Sequence, residues 1–115
     1  MHNISKEKLI NVIDSCFGSI SKIDFDIIIL AQPHNCSKIV KAFGDIAKPC
    51  EHGNGWTIIK YLSGLQYNIF VYVDYKRAHE DDLRIFIKTK RIPTIFGCRT
   101  FESDKFRLPI SSLYK

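Results

Sequence analysis

The stretch Phe17-Gly18-Ser19-Ile20-Ser21-Lys22-Ile23-Asp24-Phe25-Asp26-Ile27-Ile28-Ile29 decides how this chain is read. Polar and apolar residues alternate from Ile23, and a β-branched run then continues to Ala31. This predicts a strand over residues 23–31 whose start is exposed and whose middle is buried on both faces. On a strand, side chains two residues apart share a face, so Asp24 and Asp26 can jointly hold a hard divalent cation such as Mg²⁺ or Mn²⁺. Gly18 and Ser19 stand just before the strand, where a small turn lets backbone N–H groups and a hydroxyl come close to an anion.

Outward from this segment, Leu9, Val12, Ile13, Cys16 and Phe17 recur at helical spacing. They predict an amphipathic helix over 6–17, capped by Ser5 and stopped by Gly18. A second helix is expected over 36–47, with Ile39, Val40, Phe43 and Ala47 on one side, Asn35 as its cap and Pro49 beyond its end. Residues 56–62 and 66–75 are β-branched and aromatic with Ser63-Gly64 between them, which predicts a hairpin. Leu83, Ile85 and Ile87 alternate as a strand over 83–89, although Glu80-Asp81-Asp82 could also open a short helix. The tail, interrupted by Pro93, Gly97 and Pro109, reads as loops and short elements packed by Phe96, Phe101, Phe106 and Leu108. The order of elements gives a single α+β domain over 1–115, a mixed β-sheet with two main helices on one face.

The segment also resembles the nucleotidyltransferase superfamily, which includes the polymerase beta-like DNA polymerases and the minimal nucleotidyltransferases. Gly18 and Ser19, then Asp24 and Asp26 opening an apolar strand, match that family's Gly-Ser and Asp-x-Asp motifs, and the resemblance spans about residues 6–75. It implies a nucleotidyltransferase-like palm in which Gly18, Ser19 and Lys22 meet a nucleoside triphosphate. Asp24 and Asp26 would hold Mg²⁺ or Mn²⁺ for nucleotide transfer to a nucleic acid or other acceptor. The family takes a third carboxylate from the second strand of the hairpin. Counted from the Ser63-Gly64 turn, the matching position is near Asn68, whereas the acid on that strand is Asp74, about 20 Å further along. Both assignments stay open at this point, and Asp74 is the candidate third catalytic acid.

Charge separates the chain into two parts. Residues 1–74 carry seven Lys/Arg and seven Asp/Glu, and residues 75–115 carry ten and five, so the whole formal excess of +5 lies after residue 74. Cations interspersed with aromatic rings suit phosphates and stacked bases. Lys88, Lys90, Arg91, Arg99, Lys105 and Arg107 are therefore the candidate nucleic-acid contacts. The alternative function is a non-catalytic basic α+β module that binds nucleic acid or regulates a partner. At this size little exists beyond a palm, which leaves room for a protein partner that supplies the acceptor.

His34-x-Cys36 and Cys50-x-His52 bracket the second helix with the proper donors for zinc. A helix of about 12 residues holds its ends about 18 Å apart, however, and buried thiols with loop histidines are the simpler account. Four cysteines are too sparse for a disulfide scaffold, so reduced thiols are expected. No run is long enough for a signal peptide or a membrane span, and a cytoplasmic, intracellular protein is expected.

Overall fold

The computed structural model describes residues 3–15, 25–50, 55–62, 65–74, 81–94, 97–102 and 106–115. Helix α1 spans Lys6–Ser15 and starts as the sequence predicts. The Ser5 hydroxyl accepts the Lys8 N–H at 3.3 Å, and the Ser5 carbonyl accepts the Leu9 N–H at 3.2 Å. Leu9 and Ile13, four residues apart, are fully buried. Residues 16–24, with the expected helix stop at Gly18, lie outside the described residues.

Strand β1, Phe25–Ala31, is the centre of the sheet. Ile27, Ile29 and Ala31 are fully buried, while Asp26, Ile28 and Leu30 between them are half-buried. The apolar run therefore has one face sealed by helices and a second face only partly covered, rather than both faces buried.

Helix α2 spans Pro33–Phe43, starting three residues and ending four residues before the 36–47 expected from the sequence. Gln32 stands at the N-cap position, and its carbonyl accepts the N–H groups of Asn35 and Cys36 at 3.0 and 2.9 Å. Proline is favoured at the first helical position because its fixed φ suits a helix and its missing N–H is not needed there. Pro33 therefore opens the helix and draws Asn35 inside, where it is fully buried. The helix ends at Gly44, whose φ of 65° is a backbone state that glycine enters without strain. A short 3-10 helix, Gly44–Ile46, leads into strand β2, Lys48–Pro49.

The predicted hairpin is present as β3, Gly55–Leu62, and β4, Leu65–Val73, in register from Leu62 opposite Leu65 to Gly55 opposite Tyr72. Gly55 is required by packing: a Cβ there would stand 2.5 Å from Cδ1 of Tyr72, whose ring lies across the glycine. Strand β4 then runs parallel to β1.

The C-terminal third departs most from expectation. Strand β5 runs from Asp82 to Thr94, five residues past its predicted end, and is followed by β6, Gly97–Glu102, and β7, Phe106–Pro109. Pro93 falls in the part of β5 that pairs with β6, opposite Cys98. There only β6 is paired with β5 among the described residues. The described tail is thus largely strand rather than the expected loops and short elements; Leu108 packs against the core as expected, and Phe96 lies outside the described residues.

Among the described residues the strands form one mixed sheet in the order β2-β3-β4-β1-β5-β6, with β7 on the same edge of β5 as β6. The core is a single cluster. Ile27, Ile29, Ile58, Ile69, Val71, Leu83 and Ile85 from the sheet meet Leu9, Ile13, Cys36, Ile39 and Phe43 from the helices. Ile110 and Leu113, in a 3-10 helix over Ile110–Leu113, close one end, and Ile4 pairs with Tyr114 beside them. Both helices therefore pack on one face, and the class is α+β as expected. Among the described residues no helix is long and apolar enough to cross a membrane.

Candidate nucleotide and metal site

The face of the sheet opposite the helices carries every second residue of the central strands, beginning with Asp26. Its ladder partners are Asn68 on β4 and Lys88 on β5. Neighbouring strands lie about 4.8 Å apart, so Asp26 and Asn68 are side by side on one face. The Oδ1 atoms of both are buried, and Asn68 Oδ1 accepts no hydrogen bond among the described residues. A buried amide oxygen without a donor is costly, about 1–3 kcal/mol, and a hard cation is one partner that would satisfy it.

Asp74 is at the other end of β1. Its N–H donates to the Ala31 carbonyl at 2.9 Å, and its carboxylate pairs with Arg84 at 3.5 Å. Arg84 is 6% exposed and its guanidinium lies 5.3 Å from the centre of the Phe86 ring. Asp74 follows Asn68 by six residues, about 20 Å along the strand. The structure therefore brings Asn68 to Asp26 and does not bring Asp74 there. Asp24, Gly18, Ser19 and Lys22 lie outside the described residues. Among the described residues no three His, Cys, Asp or Glu side chains form a metal-holding group.

Between these two ends the Phe70 and Tyr72 rings stack, 6.0 Å apart and nearly parallel. The Tyr72 phenol is raised above its ordinary pKa by burial first, then by the negative charges of Cys50 and Asp26. Cys50 Sγ lies 3.2 Å from Thr57 Oγ1 on β3.

The described basic candidates fall on β5, β6 and β7. Lys88 is paired in register with both Asp26 and Glu102, and Arg99 with Ile92. Lys90 and Arg91 fall where the β5–β6 register shifts, between Thr89 and Ile92, so simple alternation does not carry across them. Arg107 is exposed and 3.7 Å from Asp82, and Lys105 lies outside the described residues.

Within the first pair the fold places the two donors differently. Cys36 is fully buried, its single S–H shared between the carbonyls of Ala31 and Tyr72, each 3.4 Å away, whereas His34 on the same helix is exposed. His52 lies outside the described residues. Cys36 and Cys50 are both free thiols. Burial pushes the Cys36 thiol up to about 11 from 9.0. Because the folded value is the higher one, this protonated thiol favours the fold below pH 9, and the benefit is lost as pH rises toward 11. Alkaline melts of the parent are expected to lose more stability between those pH values than melts of Cys36→Ala. Parallel curves would show that the buried thiol does not drive the loss.

No family model matches the chain, and neither a curated protein nor a solved structure matches it.

Proposed function

We propose that this chain is a nucleotidyltransferase-like domain that binds a nucleoside triphosphate through a single divalent cation. In it, the third carboxylate of the nucleotidyltransferase arrangement is replaced by Asn68. The observation that carries this reading is the buried oxygen of Asn68, without a donor among the described residues, in ladder register with Asp26. Asp24, Asp26 and the Asn68 amide would hold Mg²⁺ or Mn²⁺, with Gly18, Ser19 and Lys22 at the triphosphate. The bound cation would neutralise phosphate charge and orient the reacting phosphoryl group. An amide oxygen is a neutral ligand, so the site carries less negative charge than one built from three acids and favours one ion over two. Transfer to a nucleic-acid acceptor along the basic β5 and β6 positions is then slow, and nucleotide binding is the principal activity.

A second reading, a non-catalytic nucleic-acid-binding module, is favoured by the use of Asp74 in the Arg84 pair rather than at the acidic site. Calorimetric titration of Mg²⁺ or Mn²⁺ with a nucleoside triphosphate separates the two. The parent is expected to bind at least about tenfold more tightly than Asp24→Asn/Asp26→Asn, since removing both charges removes the electrostatic hold on the ion. Equal weak binding by both proteins would overturn the nucleotide reading. Salt-dependent nucleic-acid binding that survives the double substitution would then support the module.

A further inference from the structure

A cavity of about 680 Å³ opens on the helical side of the molecule, away from the Asp26–Asn68 face. It is lined by Lys6, Lys38, Lys41 and Lys115 together with His34, against one acidic side chain, Glu7. Four separate segments contribute to it: the chain before α1, the first turn of α1, the exposed face of α2, and the C-terminal residue. Lys38 and Lys41 share a helix face because they are three residues apart.

The cations are partly positioned before any ligand arrives. Lys38 Nζ donates to the Tyr114 hydroxyl at 3.1 Å and lies 5.1 Å from the centre of its ring. Lys115 is tethered through its N–H to the Asn3 carbonyl at 3.0 Å, and Glu7 accepts from the Ser5 hydroxyl at 3.3 Å. Ile4, Ala42 and the lysine stems supply an apolar floor beneath the charges.

We infer that this cavity is a second, metal-independent anion site that takes a small ligand bearing two or more adjacent phosphate groups. Lysine ammonium groups meet phosphate oxygens as point charges, and four of them around one concavity match a di- or triphosphate better than a single monoanion. The volume lies within the range of small-ligand pockets, which favours a compact molecule over an extended strand. The site uses none of the residues of the proposed nucleotide site, so the two stand or fall separately.

The test is calorimetric titration of inorganic triphosphate into the full chain in EDTA at low salt, where the acidic pair has no cation to work with. The parent is expected to bind one triphosphate per chain. Lys38→Gln/Lys41→Gln should weaken binding at least about tenfold, with Asp24→Asn/Asp26→Asn indistinguishable from the parent. Lys38 also touches Tyr114, so Lys6→Gln/Lys115→Gln, which leaves that contact in place, should weaken binding in the same direction. Absence of binding by the parent, or unchanged binding in both lysine variants, would overturn the site. So would loss of binding in the acidic-pair variant. A single-stranded oligonucleotide bound in EDTA more tightly than triphosphate, and lost in Lys38→Gln/Lys41→Gln, would replace the small-ligand assignment with a strand-binding surface.

Discussion

Asn68→Asp is expected to raise the affinity for Mg²⁺ with a nucleoside triphosphate by about tenfold or more, because it adds an ionised oxygen beside Asp26 where a neutral one stands now. The same change has a cost without metal. Two carboxyl groups on neighbouring strands, each with a buried oxygen, repel, and one is driven toward its protonated form. In EDTA the variant should therefore melt earlier than the parent, by an amount corresponding to about 1–3 kcal/mol. Added Mg²⁺ should recover most of that loss, since an ion that binds only the folded state stabilises it by mass action. Transfer of a labelled nucleotide should also rise above the parent's level. Thermal melts with and without Mg²⁺ are the decisive measurement: identical metal dependence in the two proteins would remove Asn68 from the site.

The opposite pattern is expected at the other end of the strand. Asp74→Ala leaves Arg84, a residue only 6% exposed, without the carboxylate 3.5 Å from its guanidinium. Removing one member of a buried ion pair typically costs about 3 kcal/mol, because the remaining charge stays desolvated. In a chain of this length that lowers the melting temperature by about 10 °C. Metal and nucleotide binding should be unchanged at a temperature where the variant is folded. Replacing both members with apolar residues, Asp74→Leu/Arg84→Met, should recover much of the stability, since paired apolar substitutes avoid the stranded charge. If Asp74→Ala instead keeps its melting temperature and loses Mg²⁺-dependent nucleotide binding, Asp74 belongs with the acidic pair after all.

What could be read from the residues alone divides along the range of the interactions involved. Helix α1, β1 and the β3–β4 hairpin were legible because Ser5, the apolar alternation and the Ser63-Gly64 turn each act within a few residues. The start of α2 was misplaced because two local signals competed, and the preset φ of Pro33 prevailed over the capping capacity of Asn35. The C-terminal strands were missed because Pro93, Gly97 and Pro109 punctuate the sequence as if for loops. What makes these segments strands is pairing with β5, a relation between distant residues that local composition does not encode.

The candidate site shows the same division. Asn68 was one of the two positions that the nucleotidyltransferase resemblance, counted from Ser63-Gly64, offered for the third ligand, and the parallel pairing of β1 with β4 is what sets it beside Asp26. The engagement of Asp74 with Arg84 joins two strands that are not neighbours in the sheet order, and no spacing announces it. The lysine-lined cavity was hidden for a related reason. Charge counted along the chain placed the excess after residue 74, whereas this concentration of cations is assembled mainly from the evenly balanced first part.

The uneven company kept by β5 bears on how the molecule opens. Over Arg84–Thr89 the strand is paired with β1, with β7 along its other edge over Asp82–Ile85, and its ladder with β6 loses register between Thr89 and Ile92. A break in register removes ladder hydrogen bonds, while the central strands are locked by the common core. Amide protons along this β5–β6 ribbon should therefore exchange through local unzipping, at a free energy below that of global unfolding. Lys90 and Arg91, inside the break, then ride on a unit that opens separately. Any polyanion that grips them is coupled to the ordering of that unit, so its affinity reports the ribbon's own stability as well as its charge.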